Sequence, residues 1–265
     1  MSTPKISVVL AVHNGMPYLR SALKSILDQA FEDLEFIVVN DASSDESGKY
    51  LKGLKDHRIR IITNTKKIGL TKSLNKAIRK SRGEYIARMD ADDISDKKRL
   101  QVQINFLEKN PKIAAVGSSA KLIDENNKIS GVVNMPQSNQ EIKRALPSYN
   151  PFIHASIVIR KEAIVEIGLY DESFLFAQDY DLMLRLASRF KVENIKKPLI
   201  FLRRHSKTTS WSKMDKQLKF ALQARIKAVK NGDLKLWQTV YLVKPIISSF
   251  FPVTLKKPII TFFNR

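Results

Sequence analysis

Up to about residue 90 the chain alternates short apolar runs with stretches of helical period. "ISVVLAV", "LEFIVVND", "RIRIIT" and "EYIARMD" read as strands, and "PYLRSALKSILDQ", "SGKYLKGLK" and "LTKSLNKAIRKS" between them read as helices. The strand runs are not broken by alternating polar residues, so both of their faces are expected to be buried. A βαβ series of this kind predicts a Rossmann-like, mostly parallel central sheet flanked by helices. Ligands of open α/β sheets bind beyond the carboxyl ends of the strands. That singles out "HNG" after the first strand, "NDASSD" after the second and "DADD" after the fourth.

From residue 97 the pattern changes, with a helix "KKRLQVQINFLEKN", a strand "IAAVGSSAKLI", a polar turn "DENNK", and later "HASIVIRKEAIVEIG" and "QDYDLMLRLASRF". No Gly/Ser-rich linker, repeat or low-complexity tract interrupts it. One continuous α/β domain over residues 1–206 is therefore expected, followed by a helical, basic and apolar tail over 207–265.

The composition narrows the chemistry. An apolar content of 43% over 265 residues is ample for a core, and the absence of cysteine excludes disulfides, thiolate metal sites and sulfur nucleophiles. The apolar stretch from Ile6 to Val12 runs into a polar loop and reads as a first strand, not a signal peptide. The net charge is +20, with 34 Lys and Arg against 24 Asp and Glu in residues 1–206, but 12 against 2 in residues 207–265. Such an excess implies a polyanionic partner, a nucleic acid or an anionic membrane surface.

Against that background, "YIARMDADD" gathers Asp90, Asp92 and Asp93 at the end of a strand. Hard carboxylate oxygens suit Mg²⁺ or Mn²⁺, and a cation held by one or two carboxylates completes its shell with water and substrate phosphate. The same acids also read as a helix N-cap and first turn, with Asp96 as the cap. Asp41 ends the second strand, where its carboxylate suits a base N–H or a ribose hydroxyl; "NDASSD" equally reads as a loop capping the next helix.

Taken together, "SVVLAVHNGMPYLRSALKSILDQAFEDLEFIVVNDASSDES", "GLTKSLNKAI", "GEYIARMDADD", "PFIHASIVIRKEAIVEIGLYDE" and "QDYDLMLRL" resemble glycosyltransferase family 2 over about 200 residues. The resemblance implies a GT-A fold, a nucleoside-diphosphate sugar donor of uridine or deoxythymidine type, a divalent metal and inversion at the anomeric carbon. It implies a nucleotide-sugar half over about 1–95 and an acceptor half over about 96–206. Ala11, Val12, His13 and Asn14 match the loop along the nucleoside. Asp41 matches the base-binding acid, with Lys72, Asp90 and Ala91 also on the nucleotide side. Asp92 matches the metal ligand, and His205 a position that reaches metal or diphosphate; its neighbours Arg203, Arg204 and Lys207 are suited to phosphate, and the segment also reads as a basic surface turn. Asp179 matches the catalytic base, His154 the acceptor side, although before an apolar strand it equally reads as a packing residue, and Gln178 stands where the family usually has Glu. Losing that charge is expected to give Asp179 a lower pKa than in a paired site. Asp181 reads as a first-turn acid of the following helix.

In the tail, apolar runs over 236–243, 245–255 and 258–264 are too short to cross a bilayer. Trp237, Tyr241, Phe250, Phe251, Phe262 and Phe263 among lysines resemble an interfacial anchor; the same residues would serve to pack on the domain or in an oligomer. The expected protein is an inverting, metal-dependent glycosyltransferase, peripheral on the cytoplasmic face of the plasma membrane, acting on a glycan or lipid-linked acceptor in cell-surface polysaccharide biosynthesis. The alternatives are a non-catalytic nucleotide-sugar-binding module and a nucleic-acid binder, and for the latter no recognised motif is present.

Overall fold

The computed structural model describes residues 3–204 and 214–235. The expected βαβ series is present: β1 (Ile6–Val12), α1 (Leu19–Leu27), β2 (Leu34–Asn40), α2 (Ser47–Lys52), β3 (Ile59–Thr63), α3 (Leu70–Lys80) and β4 (Tyr85–Arg88). It is followed by β5 (Ile94–Ser95), α4 (Arg99–Lys109), β6 (Ile113–Ile123), β7 (Ile129–Val133), α5 (Asn139–Ala145), a 3₁₀ turn at His154–Ser156, β8 (Val158–Arg160) and α6 (Lys161–Glu166). The described chain closes with α7 (Gln178–Arg189), β9 (Lys191–Arg203) and α8 (Met214–Lys230).

These strands form one sheet in the order β3-β2-β1-β4-β8-β6-β9-β5, with β7 pairing β6. β1 pairs in parallel with β2 and β4, β2 with β3, and β6 with β9, whereas β8, β7 and β5 run antiparallel to their neighbours. The early runs are unbroken because both faces are covered. Val9 and Ala11 of β1 join Ile37, Val39, Leu74 and Ile78 on one side. Ile6, Val8 and Leu10 join Phe36, Leu19, Leu23 and Ile26 on the other. α1 buries Leu19, Ala22, Leu23 and Ile26, the i, i+3, i+4, i+7 spacing of a one-sided helix.

The reading of "DADD" as a helix cap is corrected, and that of "NDASSD" is narrowed to one acid. β5 separates "DADD" from α4, whose first turn carries no acid and whose N-cap, Lys98, makes no side-chain cap. Asp96, two residues before the N-cap, instead accepts from the Lys98 N–H. At α2 Glu46 makes no side-chain cap, but Asp45 of "NDASSD" accepts from the amide of Ser47, the first residue of the helix, at 2.9 Å. The hydroxyls of "NDASSDES" are turned to the β1–α1 loop, where Ser43 and Ser47 accept from the Asn14 and Gly15 amides.

Candidate functional site

The ends of β1, β2 and β4 lie side by side, since Val12 is in register with Asn40 and Val9 with Arg88. This brings the three suspected segments to one edge of the sheet. Asn14 takes a left-handed backbone (φ 57°), which an asparagine tolerates, and its Oδ1 accepts from the Ser44 amide at 2.8 Å. The Asp41 amide donates to the Val12 carbonyl, and His13 Nδ1 donates to the Asp41 carbonyl at 2.9 Å. The predicted nucleoside loop, Ala11 to Asn14, is thereby fastened to the turn that carries Asp41.

Asp41 is 3% exposed, and its carboxylate accepts from the Ile68 and Gly69 amides, both at 2.8 Å, and from Asn64 Nδ2 at 2.9 Å. Burial opposes its charge, yet these hydrogen bonds outweigh it and hold the carboxyl below its usual range. With the Ser73 hydroxyl also hydrogen-bonded to the carboxylate, Asp41 shapes the β3–α3 loop. Lys72 sits exposed on the first turn of α3.

Asp90, Ala91, Asp92 and Asp93 form the turn between β4 and β5. Asp90 Oδ1 meets Arg88 Nη1 at 2.5 Å. A third of the Asp90 side chain remains accessible, but the cleft walls desolvate it; together with the charges of Asp92 and Asp179 this raises its pKa, against the pull of Arg88. Asp93 is 2% exposed; one oxygen accepts from the Arg203 amide at 2.8 Å and the other has no partner among the described residues. Its carboxyl is pushed well up by burial and by Asp90 and Asp92. Arg203, suited by sequence to phosphate, is instead occupied structurally. Its guanidinium donates to the Asp92, Asp124 and Glu125 carbonyls and to Asn127 Oδ1, tying the acidic turn to the β6–β7 connection. His205 and Lys207 lie outside the described residues.

Across the cleft, Ala177 adopts a left-handed backbone (φ 52°) immediately before α7, which places Gln178 and Asp179 on the first turn. Gln178 is buried, and Asp179 Oδ2 accepts from Asn150 Nδ2 at 2.9 Å. Burial lifts the Asp179 carboxyl above its usual range, although the Tyr180 amide, its own amide, Asn150 and Arg88 oppose the rise. His154 Nε2 meets the Tyr170 hydroxyl at 2.7 Å, and burial, then Arg88, hold the imidazole neutral. Asp181 is on the first turn as expected, but it is 2% exposed and bonded to Arg185 and Lys227.

Asn150 is positioned from the sheet. Asn194 of β9 donates to the Pro151 and Pro136 carbonyls, reaching them across Gly117 of β6, where any β-carbon would fall 2.1 Å from Asn194 Oδ1. Arg88, Asn150 and Tyr170 were missed by sequence reasoning. The only signal was their nearness to the motif segments, because their roles arise from contacts between distant elements. A polar groove of about 380 Å³ behind α7, lined by Arg79, Arg185 and Lys227 among others, has most of its charges paired internally with Asp181, Asp171 and Glu172.

Among the described residues no three His, Asp or Glu side chains form a ready metal cage. The donor set nevertheless fits a hard divalent cation held by one or two carboxylates, with Asp90 and Asp92 on one turn and an unpartnered Asp93 oxygen behind them.

The model of "Glycosyl transferase family 2" matches residues 7–168. The "O-antigen biosynthesis glycosyltransferase WbnJ" of Escherichia coli is 34% identical over 212 residues, 78% of this chain and 82% of that protein. Among solved structures, S. aureus TarS 1–349 in complex with UDP-GlcNAc superposes with a TM-score of 0.73 at 16% identity, covering 91% of this chain and 71% of that one. The mannosyltransferase PcManGT from Pyrobaculum calidifontis, in complex with GDP-Man and Mn²⁺, superposes with a TM-score of 0.65 at 16% identity, over 98% and 80%. The sheet, the strand-end acids and these likenesses agree: the chain is a glycosyltransferase with the GT-A fold and belongs to glycosyl transferase family 2.

Proposed function

We propose that this glycosyltransferase moves a sugar, with inversion, from a nucleoside-diphosphate donor to a hydroxyl of a glycan or lipid-linked acceptor in the making of a surface polysaccharide. The observation that carries the reading is the opposition of two kinds of carboxylate across one cleft: Asp90 and Asp92 on the β4–β5 turn, and Asp179 on the first turn of α7. Relatives bear on the details. TarS is solved with UDP-GlcNAc, PcManGT with GDP-Man and Mn²⁺, and WbnJ is named for O-antigen biosynthesis.

In this reading residues 1–95 form the nucleotide-sugar half and 96–206 the acceptor half. Ala11 to Asn14 line the nucleoside, and Asp41 is on the base side. Lys72 attracts the anionic donor, Asp90 and Ala91 lie along the ribose and diphosphate, and Asp92, with His205, would hold Mn²⁺ or Mg²⁺. The bound cation would supply Lewis-acid stabilisation of charge on the departing diphosphate. The acceptor hydroxyl oxygen attacks the anomeric carbon from the face opposite the diphosphate, whose bond to that carbon breaks with its electron pair; the hydroxyl proton passes to Asp179. Gln178 and neutral His154 border the acceptor side.

Among the described residues no helix is long and apolar enough to cross a membrane. Peripheral attachment to the cytoplasmic face through residues 207–265 is assigned from their basic, aromatic sequence; residues 207–213 and 236–265 lie outside the described structure.

Calorimetry with a panel of nucleoside diphosphates and their sugars, with and without Mn²⁺, tests the donor half. One nucleotide should bind in a metal-dependent way, and Asp92→Asn should lose that dependence. A folded wild-type protein that binds none of them would refute the reading.

A further inference from the structure

Arg88 has no part in the mechanism above, and its environment is unusual. It is the last residue of β4, two before Asp90, so in nearly extended chain the two side chains share a side. Its backbone is pinned: the carbonyl accepts from Arg99 Nη2 at 2.9 Å, and Arg99 is itself fully buried with Nε on Gln103. The guanidinium is under-used by contrast. Arg88 is 3% exposed; its Nη1 is held against Asp90 Oδ1 at 2.5 Å, and its buried Nε has no hydrogen-bond partner among the described residues. Burying a cation with a donor that lacks an acceptor is costly, and such a group is retained where a ligand supplies the missing acceptor. Arg88 also lies between the two halves of the cleft, since its charge is felt by Asp90 and Asp93 on one side and by Asp179, His154 and Tyr170 on the other.

We propose that Arg88 is a donor-binding residue: in the nucleotide-free protein it neutralises Asp90 in place of a divalent cation, and when the donor arrives it turns its hydrogen bonds to oxygen acceptors of the nucleoside-diphosphate sugar between Asp90 and Asp179. The proposal rests on the glycosyltransferase reading. It makes Arg88 a competitor of the metal but a partner of the donor. Removing its charge must therefore move the two affinities in opposite directions, which loss of a merely structural residue would not do.

The test is calorimetry of the full chain and of Arg88→Gln and Arg88→Lys, first with Mn²⁺ alone, then with UDP, GDP and their sugars in saturating Mn²⁺. Arg88→Gln should bind Mn²⁺ alone about tenfold more tightly, as loss of a neighbouring like charge requires, and the nucleotide sugar about tenfold more weakly, as loss of a charged hydrogen bond requires. Arg88→Lys keeps the charge but not the planar fork, so its Mn²⁺ affinity should match the wild type while the nucleotide sugar binds more weakly. Unchanged or weaker Mn²⁺ binding by a folded Arg88→Gln overturns the proposal. Should that variant fail to fold, wild-type donor affinity in Arg88→Lys overturns it equally. A wild-type protein that binds no nucleoside diphosphate overturns the donor reading itself, whereas a binding wild type with unaffected variants overturns the role of Arg88 alone.

Discussion

At Asp179 burial and hydrogen bonding pull against each other, and burial prevails, so the carboxyl titrates above its ordinary range. A general base must be ionised to act. Activity should therefore fall as pH drops through this raised value, and the acid limb of kcat/KM should lie above the ~3.9 of an ordinary aspartate. Asp179→Asn should remove that limb and lower kcat by ~10²- to 10⁴-fold while donor affinity stays unchanged. The linkage sign follows: a carboxyl whose folded pKa exceeds its unfolded one costs stability when ionised, at pH values above the folded pKa. Asp179→Asn should accordingly not lower Tm at neutral pH, and a marked loss would mean that the carboxylate holds α7 in place. The expectation of a lower pKa because Gln178 replaces an acid concerned repulsion alone; desolvation by the cleft is the larger influence here. Asp41, Asp90 and Asp92 were legible because strand ends mark themselves by the switch from apolar run to polar turn. Arg88 was not, because an arginine inside "YIARMD" has nothing in its neighbours to tell a solvated side chain from one buried against the Asp90 carboxylate.

Elements position these residues through side chains that cross between strands. The parallel pairing of β6 with β9 sets Gly117 opposite Asn194, and the missing side chain at Gly117 lets Asn194 reach the Pro136 and Pro151 carbonyls. Pro151 follows Asn150, the partner of Asp179. Gly117→Ala would place a methyl 2.1 Å from Asn194 Oδ1 and 2.8 Å from a Phe152 ring carbon. It should cost roughly 1–3 kcal/mol of stability by overpacking. It should also lower kcat more than it raises the KM for the donor, since the displacement falls on the acceptor side; thermal melts and steady-state kinetics check the two effects, and an intact kcat would break the link to Asp179. Helix α8 reaches the same region from the other side, with Gln217 accepting from the Ala177 amide and buried Arg225 donating to the Tyr180 hydroxyl. The elements up to β4, and α4, β6 and α7 after them, were readable from periodicity, because propensity and burial agree over each run; β5, β7, α5 and β9 were not expected. Strand pairing after residue 97 was not readable either, since three antiparallel strands enter a sheet whose earlier members are parallel and no local signal sets that order.

For the molecule as a whole, the charge arrangement assigns two different tasks. The domain concentrates carboxylates at one edge of a cationic surface, where they hold a cation and that surface attracts an anionic donor. The excess over residues 207–265 is of another kind, 12 basic against 2 acidic residues interleaved with aromatics. Lys244, Lys256 and Lys257 fall in the part beyond residue 235, outside the described structure. If that segment lies on an anionic leaflet, each lysine near the surface contributes about 1 kcal/mol, an attraction confined to roughly a Debye length of ~8 Å at physiological salt. Reversing all three to Glu in the full chain should weaken binding to phosphatidylserine-containing vesicles by about a hundredfold or more, the factor corresponding to ~3 kcal/mol. Wild-type binding should itself decline as salt rises, and neutral vesicles should retain only the share owed to the aromatics. Transfer to a soluble acceptor should be unaffected by the reversal, because the cleft residues lie elsewhere in the chain. Undiminished vesicle binding would instead place the membrane contact on the domain, and lost transfer to the soluble acceptor would mean that the segment packs against the catalytic fold.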